Sequence, residues 1–182
     1  MNGQPTPAYD REVAETGLWL LRDAHDQWRA TYEDVAGGRG DGEHHRQVAL
    51  RLHQHAAAVA TWARALDDLC GGDPGPMPGY RVDRTDSSGE LLDGARYVCN
   101  RSVHQLLNLT QSIGGISYPR SYPRRYDEVG IVNWAQERYL PRAETERPGQ
   151  AALRAAYVAR YAGQPVFETL AELRKWFDWK LR

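Results

Sequence analysis

His44–Cys70, HHRQVALRLHQHAAAVATWARALDDLC, decides the fold. Val48, Leu52, His55, Val59, Trp62, Leu66 and Leu69 recur at alternating spacings of four and three. That spacing puts them on one side of a long helix, because a strand would need a repeat of two. Gly71-Gly72 follows and ends the helix, since glycine is costly in a helix interior and favoured just past its end. A long helix with one apolar stripe must bury that stripe against other helices.

The flanks repeat the pattern. Upstream, residues 1–8 read as a flexible leader, and from Tyr9 the positions Val13, Gly17, Leu20, Ala24, Trp28, Thr31 and Val35 trace one face of another long helix. GGRGDGE (Gly37–Glu43) separates the two. Downstream, residues 71–87 form a Pro/Gly-rich connector. A third helix is predicted from Ser88 to Ser112, with Leu91, Ala95, Val98, Ser102, Leu106, Leu109 and Ile113 as its stripe. Residues 114–149 read as an irregular connector rich in Tyr, Pro and Arg, with a short strand or helical turn around Ile131–Tyr139. Gln150–Tyr161 is a shorter helix closed by Gly163. Pro165 opens a last one, with Val166, Leu170, Leu173 and Phe177 on one face. Isoleucine is scarce and no clean alternating strand stands out, so the expected fold is all-α: a single domain, 1–182, built as an antiparallel bundle of about five helices.

Composition narrows the function classes. The chain has 182 residues and a formal charge of −1, so no global field draws it to nucleic acid. No apolar run approaches the ~20 residues of a membrane helix, and the expected location is cytoplasmic. Two cysteines, Cys70 and Cys99, make no disulfide framework and read as reduced. A phosphate-cradling glycine loop, GxSxG and CxxC are all missing, which leaves nucleotide hydrolysis, serine hydrolase chemistry and dithiol redox without support. His53 and His55 stand two apart, which on a helix turns them about 200° from one another. No metal site and no cofactor are expected. Asp67-Asp68 reads as an ordinary polar helix end. Trp19, Trp28 and Trp62 read as core, while Trp176 and Trp179 could anchor an interface.

The third helix carries a polar seam. Arg96, Asn100, His104 and Asn108 are four apart and form a row, with Arg101 and Gln105 beside it. A row of this kind is either a solvent-facing stripe or a partly buried set that needs partners. Within it, Cys99-Asn100-Arg101-Ser102-Val103-His104 resembles the RNxxxH motif of HEPN domains, and GARYVCNRSVHQLL resembles a version that recurs in actinobacteria. The resemblance implies a helical bundle acting as a homodimer, with metal-independent ribonuclease activity of toxin or phage-defence type and an antitoxin or other protein partner. Position by position, His104 falls on the catalytic histidine and Asn100 on the polar residue after the arginine, while Cys99 occupies the arginine position itself. A neutral thiol cannot grip a phosphate in two places. Arg96 or Arg101 would then lend the guanidinium, or the site binds without cleaving. A helical module for protein–protein interaction is the alternative.

A second candidate is Tyr118-Pro119-Arg120-Ser121-Tyr122-Pro123-Arg124-Arg125-Tyr126. Tyr118 and Tyr122 could stack on unpaired bases while Arg120, Arg124 and Arg125 meet phosphates. The same tyrosines could instead pack on the bundle.

Overall fold

In the computed structural model of the chain, α1 (Arg11–Ala36) and α2 (Gly42–Gly71) form an antiparallel hairpin. The structure describes residues 9–36, 42–72, 76–104, 110–113, 131–140 and 149–182. Gly17, near the start of α1, lies against Leu66, near the end of α2, and a Cβ there would meet Leu66 Cδ2 at 2.8 Å. The missing side chain therefore sets how closely the two helices approach.

The buried face of α1 is Ala14, Leu18, Leu21, Ala24 and Trp28. The sequence-derived stripe holds at Ala24 and Trp28 but is one position off before them, since Val13 is exposed and Leu20 only half-buried while Ala14 and Leu21 are buried. The physical reason is Leu18-Trp19-Leu20-Leu21, four apolar residues in a row that cover more than half a turn and leave the stripe's orientation undetermined. Trp19, expected in the core, is 62% exposed. Trp28 is buried, with its ring stacked on Tyr32 at 5.2 Å. Trp62 is half-buried and packs on the core.

α2 is central. Val48, Leu52, Val59 and Leu66 are buried as expected, and so are Ala56, Ala60 and Ala63. Those alanines add a second face, on which the helix that follows can pack closely. The connector after α2 contains one helical turn, α3 (Tyr80–Asp83), whose Tyr80 is fully buried.

α4 (Asp86–His104) is shorter than the periodicity implied. Thr110–Ile113, expected as its last turn, forms strand β1, which pairs antiparallel with β2 (Ile131–Trp134); Thr110 stands opposite Trp134 and Ile113 opposite Ile131. Pairing with a distant segment overrides local helical spacing here, a common outcome for short apolar runs. Where a strand or a helical turn was expected, around Ile131–Tyr139, both occur: β2 and a 3-10 turn at Glu137–Tyr139.

α5 (Gln150–Arg160) packs on α4, and α6 (Val166–Lys180) closes the bundle against α1 and α2. Gly163 takes a positive φ of 76°, which turns the chain between α5 and α6. That turn is stitched to β2, because Trp134 donates its N–H to the Gln164 carbonyl (2.9 Å) and accepts from Gly163 N–H (3.0 Å). Aromatic rings fill the α4–α5 interface: Tyr97 meets Tyr157 at 5.0 Å, and Tyr161 stacks on Tyr157 at 5.7 Å. The Tyr161 ring fills the space a side chain at Gly94 would need, and its hydroxyl donates to the Leu91 carbonyl at 2.7 Å.

Trp176, proposed above as an interface anchor, is buried edge-on to Tyr80 at 5.3 Å; Trp179 is 55% exposed. The described residues thus form an all-α helical bundle with one small two-stranded sheet. No helix among them is long and apolar enough to cross a membrane.

Candidate functional site

α4 lies between α2 and α5 and shows each a different face. Toward α5 it presents Tyr97 and Arg101, both buried, with the Arg101 guanidinium 5.3 Å from the Tyr97 ring centroid. Toward α2 it presents Arg96, Cys99 and Asn100. The polar seam is therefore no open stripe: Arg96 and Asn100 are half-buried and partnered from α2.

The lower end of that α2–α4 contact is built on Asp67, which is only 2% exposed. Its carboxylate accepts from Arg84 Nε (2.8 Å) and Nη2 (3.1 Å), Arg96 Nε (2.7 Å) and the Tyr80 hydroxyl (2.9 Å). Four donors fill the four acceptor positions of two carboxylate oxygens. Each arginine also reaches a second acid: Arg96 Nη2 to Asp68 at 2.5 Å, and Arg84 Nη2 to Asp93 at 2.5 Å. The expectation of an ordinary helix end fails for Asp67. It lies four residues after Ala63 and three before Cys70, both buried, so it shares the face of α2 that meets α4.

Burial alone would push the Asp67 carboxyl up, but the hydrogen bonds and charges of Arg84 and Arg96 outweigh it and hold it below the usual aspartate value. The same carboxylate acts on its neighbours. Burial first, and Asp67 second, push the Cys70 thiol up to about 12 and raise the Tyr80 hydroxyl well beyond its ordinary range. Cys70 therefore stays protonated at neutral pH and is no nucleophile. A notch of about 260 Å³ opens beside this cluster, lined by Asp67, Asp68, Arg81, Arg84 and Arg96 together with Gly71 and Gly72.

One turn back along α2 the chemistry changes. Arg64 reaches across to α4, and its Nη1 donates to Asn100 Oδ1 at 2.6 Å and points at Cys99 Sγ from 3.8 Å. Thr61 Oγ1, which donates to the Ala57 carbonyl at 2.8 Å, also lies 3.7 Å from that sulfur. Among the described residues Arg64 has one acid nearby, Asp68 at 3.5 Å, which is half-exposed and shared with Arg96. The Arg64 side chain is 34% exposed, so its guanidinium remains within reach of a ligand.

The predicted site residues thus divide. Arg96, Cys99 and Asn100 meet α2, while Arg101 turns away toward α5. Arg96 and Arg101, expected to lend a guanidinium at the motif, are committed to carboxylates and to an aromatic ring respectively. His104 is the last residue of α4, one turn beyond Asn100, and its side chain lies outside the described residues. Asn108, Gln105, Tyr118, Arg120, Tyr122, Arg124 and Arg125 also lie outside them. Sequence reasoning missed Arg64. Its signal was a lone arginine in the apolar run Val59–Leu66, three residues before the buried Asp67.

Both cysteines are free and buried. Among the described residues no group of three His, Cys, Asp or Glu side chains converges as metal ligands would. No family model matches the chain, and no curated protein and no solved structure matches it either.

Proposed function

We propose that this chain is a HEPN-like RNA-binding protein whose phosphate-facing cation is Arg64 of α2, acting beside Asn100 and His104 of α4. The observation that carries the reading is the Arg64 guanidinium seated on Asn100 at 2.6 Å and beside Cys99. At the motif position where the resemblance calls for an arginine, α4 supplies a thiol, and a neighbouring helix brings a guanidinium to the same turn. A guanidinium offers several donors in a fixed fork, so one that donates to an amide oxygen keeps others for a phosphate. The protein would work as a cytoplasmic homodimer.

The chemistry such a site would perform is attack of a ribose 2′-hydroxyl on the adjacent phosphodiester. A new bond forms from 2′-oxygen to phosphorus as the bond to the 5′-oxygen breaks. A base takes the 2′ proton and an acid returns one to the leaving oxygen. Histidine can serve in either role near neutrality, and two copies of His104 in a symmetric dimer would supply both without a metal. Arg64 would neutralise charge on the phosphorane.

The burial of Cys99 favours a second reading, in which the same bundle binds RNA or a protein partner without cleaving. One experiment separates them. The purified chain is titrated with single-stranded RNA at low and moderate salt and incubated with it for cleavage. Arg64→Ala is expected to weaken binding roughly tenfold, the equivalent of one charge-assisted contact. His104→Ala is expected to bind normally and cleave nothing. Salt-sensitive binding without cleavage by the parent leaves the non-cleaving form. Binding that is absent, or equal in Arg64→Ala, overturns the RNA reading.

A further inference from the structure

A groove of about 490 Å³ runs between α1 and α6, on elements apart from the α2–α4 contact. The acid in its lining, Asp178, is already paired, with Arg22 Nη2 2.6 Å away. Arg174, also in the lining, donates from Nη1 to Asp26 beside the groove at 2.5 Å. Lys175 and Arg182, which also line the groove, have no acid partner among the described residues. The side chains lining the groove are therefore mainly cationic, Arg174, Lys175 and Arg182 against Asp178, although the chain as a whole is near neutral.

Trp179 forms one wall and is 55% exposed. Its ring is braced by Trp176 at 6.4 Å and by the Lys180 ammonium 5.6 Å from its centroid; Lys180 is itself tied to Asp83 of α3. An indole held in place and left more than half open is a ready stacking surface, with little rotamer freedom left to lose on binding.

His25 adds a polar group. Arg174 Nη1 lies 3.0 Å from His25 Nδ1, and an arginine can only donate, so that nitrogen is the acceptor and the neutral ring carries its proton on Nε2. Burial, with Arg174 second, holds this imidazole below its usual value and keeps it neutral. Aromatic wall, unbalanced cations and ring N–H describe one ligand chemistry, a flat heteroaromatic ring joined to a phosphate. The volume falls within the roughly 300–1,000 Å³ usual for small-ligand sites.

We propose that the α1–α6 groove binds a nucleoside monophosphate, free or as the phosphorylated end of a single strand, with the base on Trp179 and the phosphate between Lys175 and Arg182. The site shares no residue with the Arg64–Asn100 pair and stands or falls apart from it.

The test is calorimetric titration of the full chain with four probes: adenosine 5′-monophosphate, adenosine, and a short adenosine oligonucleotide with and without a 5′-phosphate. The monophosphate should bind at least about tenfold tighter than the nucleoside, since a phosphate on two cations is a charge-assisted contact. Lys175→Glu should erase that preference, and Trp179→Ala should cost roughly tenfold, the scale of one lost base–aromatic stack. Trp179→Phe should keep most of the affinity for the monophosphate. A 5′-phosphorylated strand that outbinds both the monophosphate and its own unphosphorylated form identifies a strand end as the source; equal affinity of the two strands identifies the free nucleotide. The proposal is overturned if no probe binds at millimolar concentration, or if Lys175→Glu and Trp179→Ala, with unchanged melting curves, bind like the parent.

Discussion

Two stretches of the same α2–α4 contact, one helical turn apart, use arginine in opposite ways. At Asp67 every cation meets a carboxylate, every acceptor position is filled, and the acid at the centre is out of water. At Arg64 the guanidinium meets an amide and a thiol, with one half-exposed acid at its edge. In the first arrangement carboxylates balance both guanidinium charges. In the second the balance is incomplete, and that shortfall, more than the presence of an arginine, marks a place where a phosphate could enter. Residue type alone does not separate structural from functional charge; the completeness of its partnering does.

The contrast breaks most sharply at its closed end. Asp67→Ala leaves Arg84 and Arg96 half-buried without their shared partner, and should lower unfolding stability by about 3–5 kcal/mol in urea titrations. The same carboxylate predicts acid sensitivity. Its folded pKa lies below the unfolded one, so its contribution is present above the unfolded value of about 4 and is lost as pH falls through the lower folded value. Circular dichroism across acid pH should show that loss in the parent and a flatter profile in Asp67→Asn.

A purely steric change on the other side of α4 comes next. Gly94→Ala would place its Cβ 2.2 Å from the Tyr161 ring, and overpacking of this kind should cost about 1–3 kcal/mol by thermal melting. Arg64→Ala sharpens the comparison from the open end. With a third of its side chain exposed, it should shift stability by no more than about 1 kcal/mol while reducing RNA affinity, so melting and binding should separate in this variant and not in Asp67→Ala. The smallest effect belongs to the α1–α6 surface pairs. Arg22→Ala removes a partly exposed contact with Asp178 and should change stability by only about 0.2–1 kcal/mol, fading further in moderate salt.

Much of the fold was legible because long helices advertise themselves. The spacing of Val48, Leu52, Val59 and Leu66 is a local property, and burial follows it. What was misread depends on partners distant in sequence. Thr110–Ile113 continues a helical spacing, and only pairing with Ile131–Trp134 makes it a strand. Trp19 sits in an apolar quartet whose rotation is fixed by what α1 packs against. The candidate site shows the same division. Arg96 and Asn100 could be placed on one row by counting, but their partners Asp67, Asp68 and Arg64 come from α2, and no spacing along α4 contains them. Asp67 was passed over because a carboxylate near a helix end is usually solvated, and its burial becomes visible only when Arg84 and Arg96 converge on it.

Because one carboxylate of α2 serves donors from α3, from the residue that caps α3 and from α4, positions 67, 80, 84 and 96 are bound into a single unit of inheritance. A lineage that lost the acid would strand two guanidinium groups and a phenol at once. Descendants of this chain should therefore keep the quartet whole or exchange it wholesale for apolar side chains, with few surviving halfway forms.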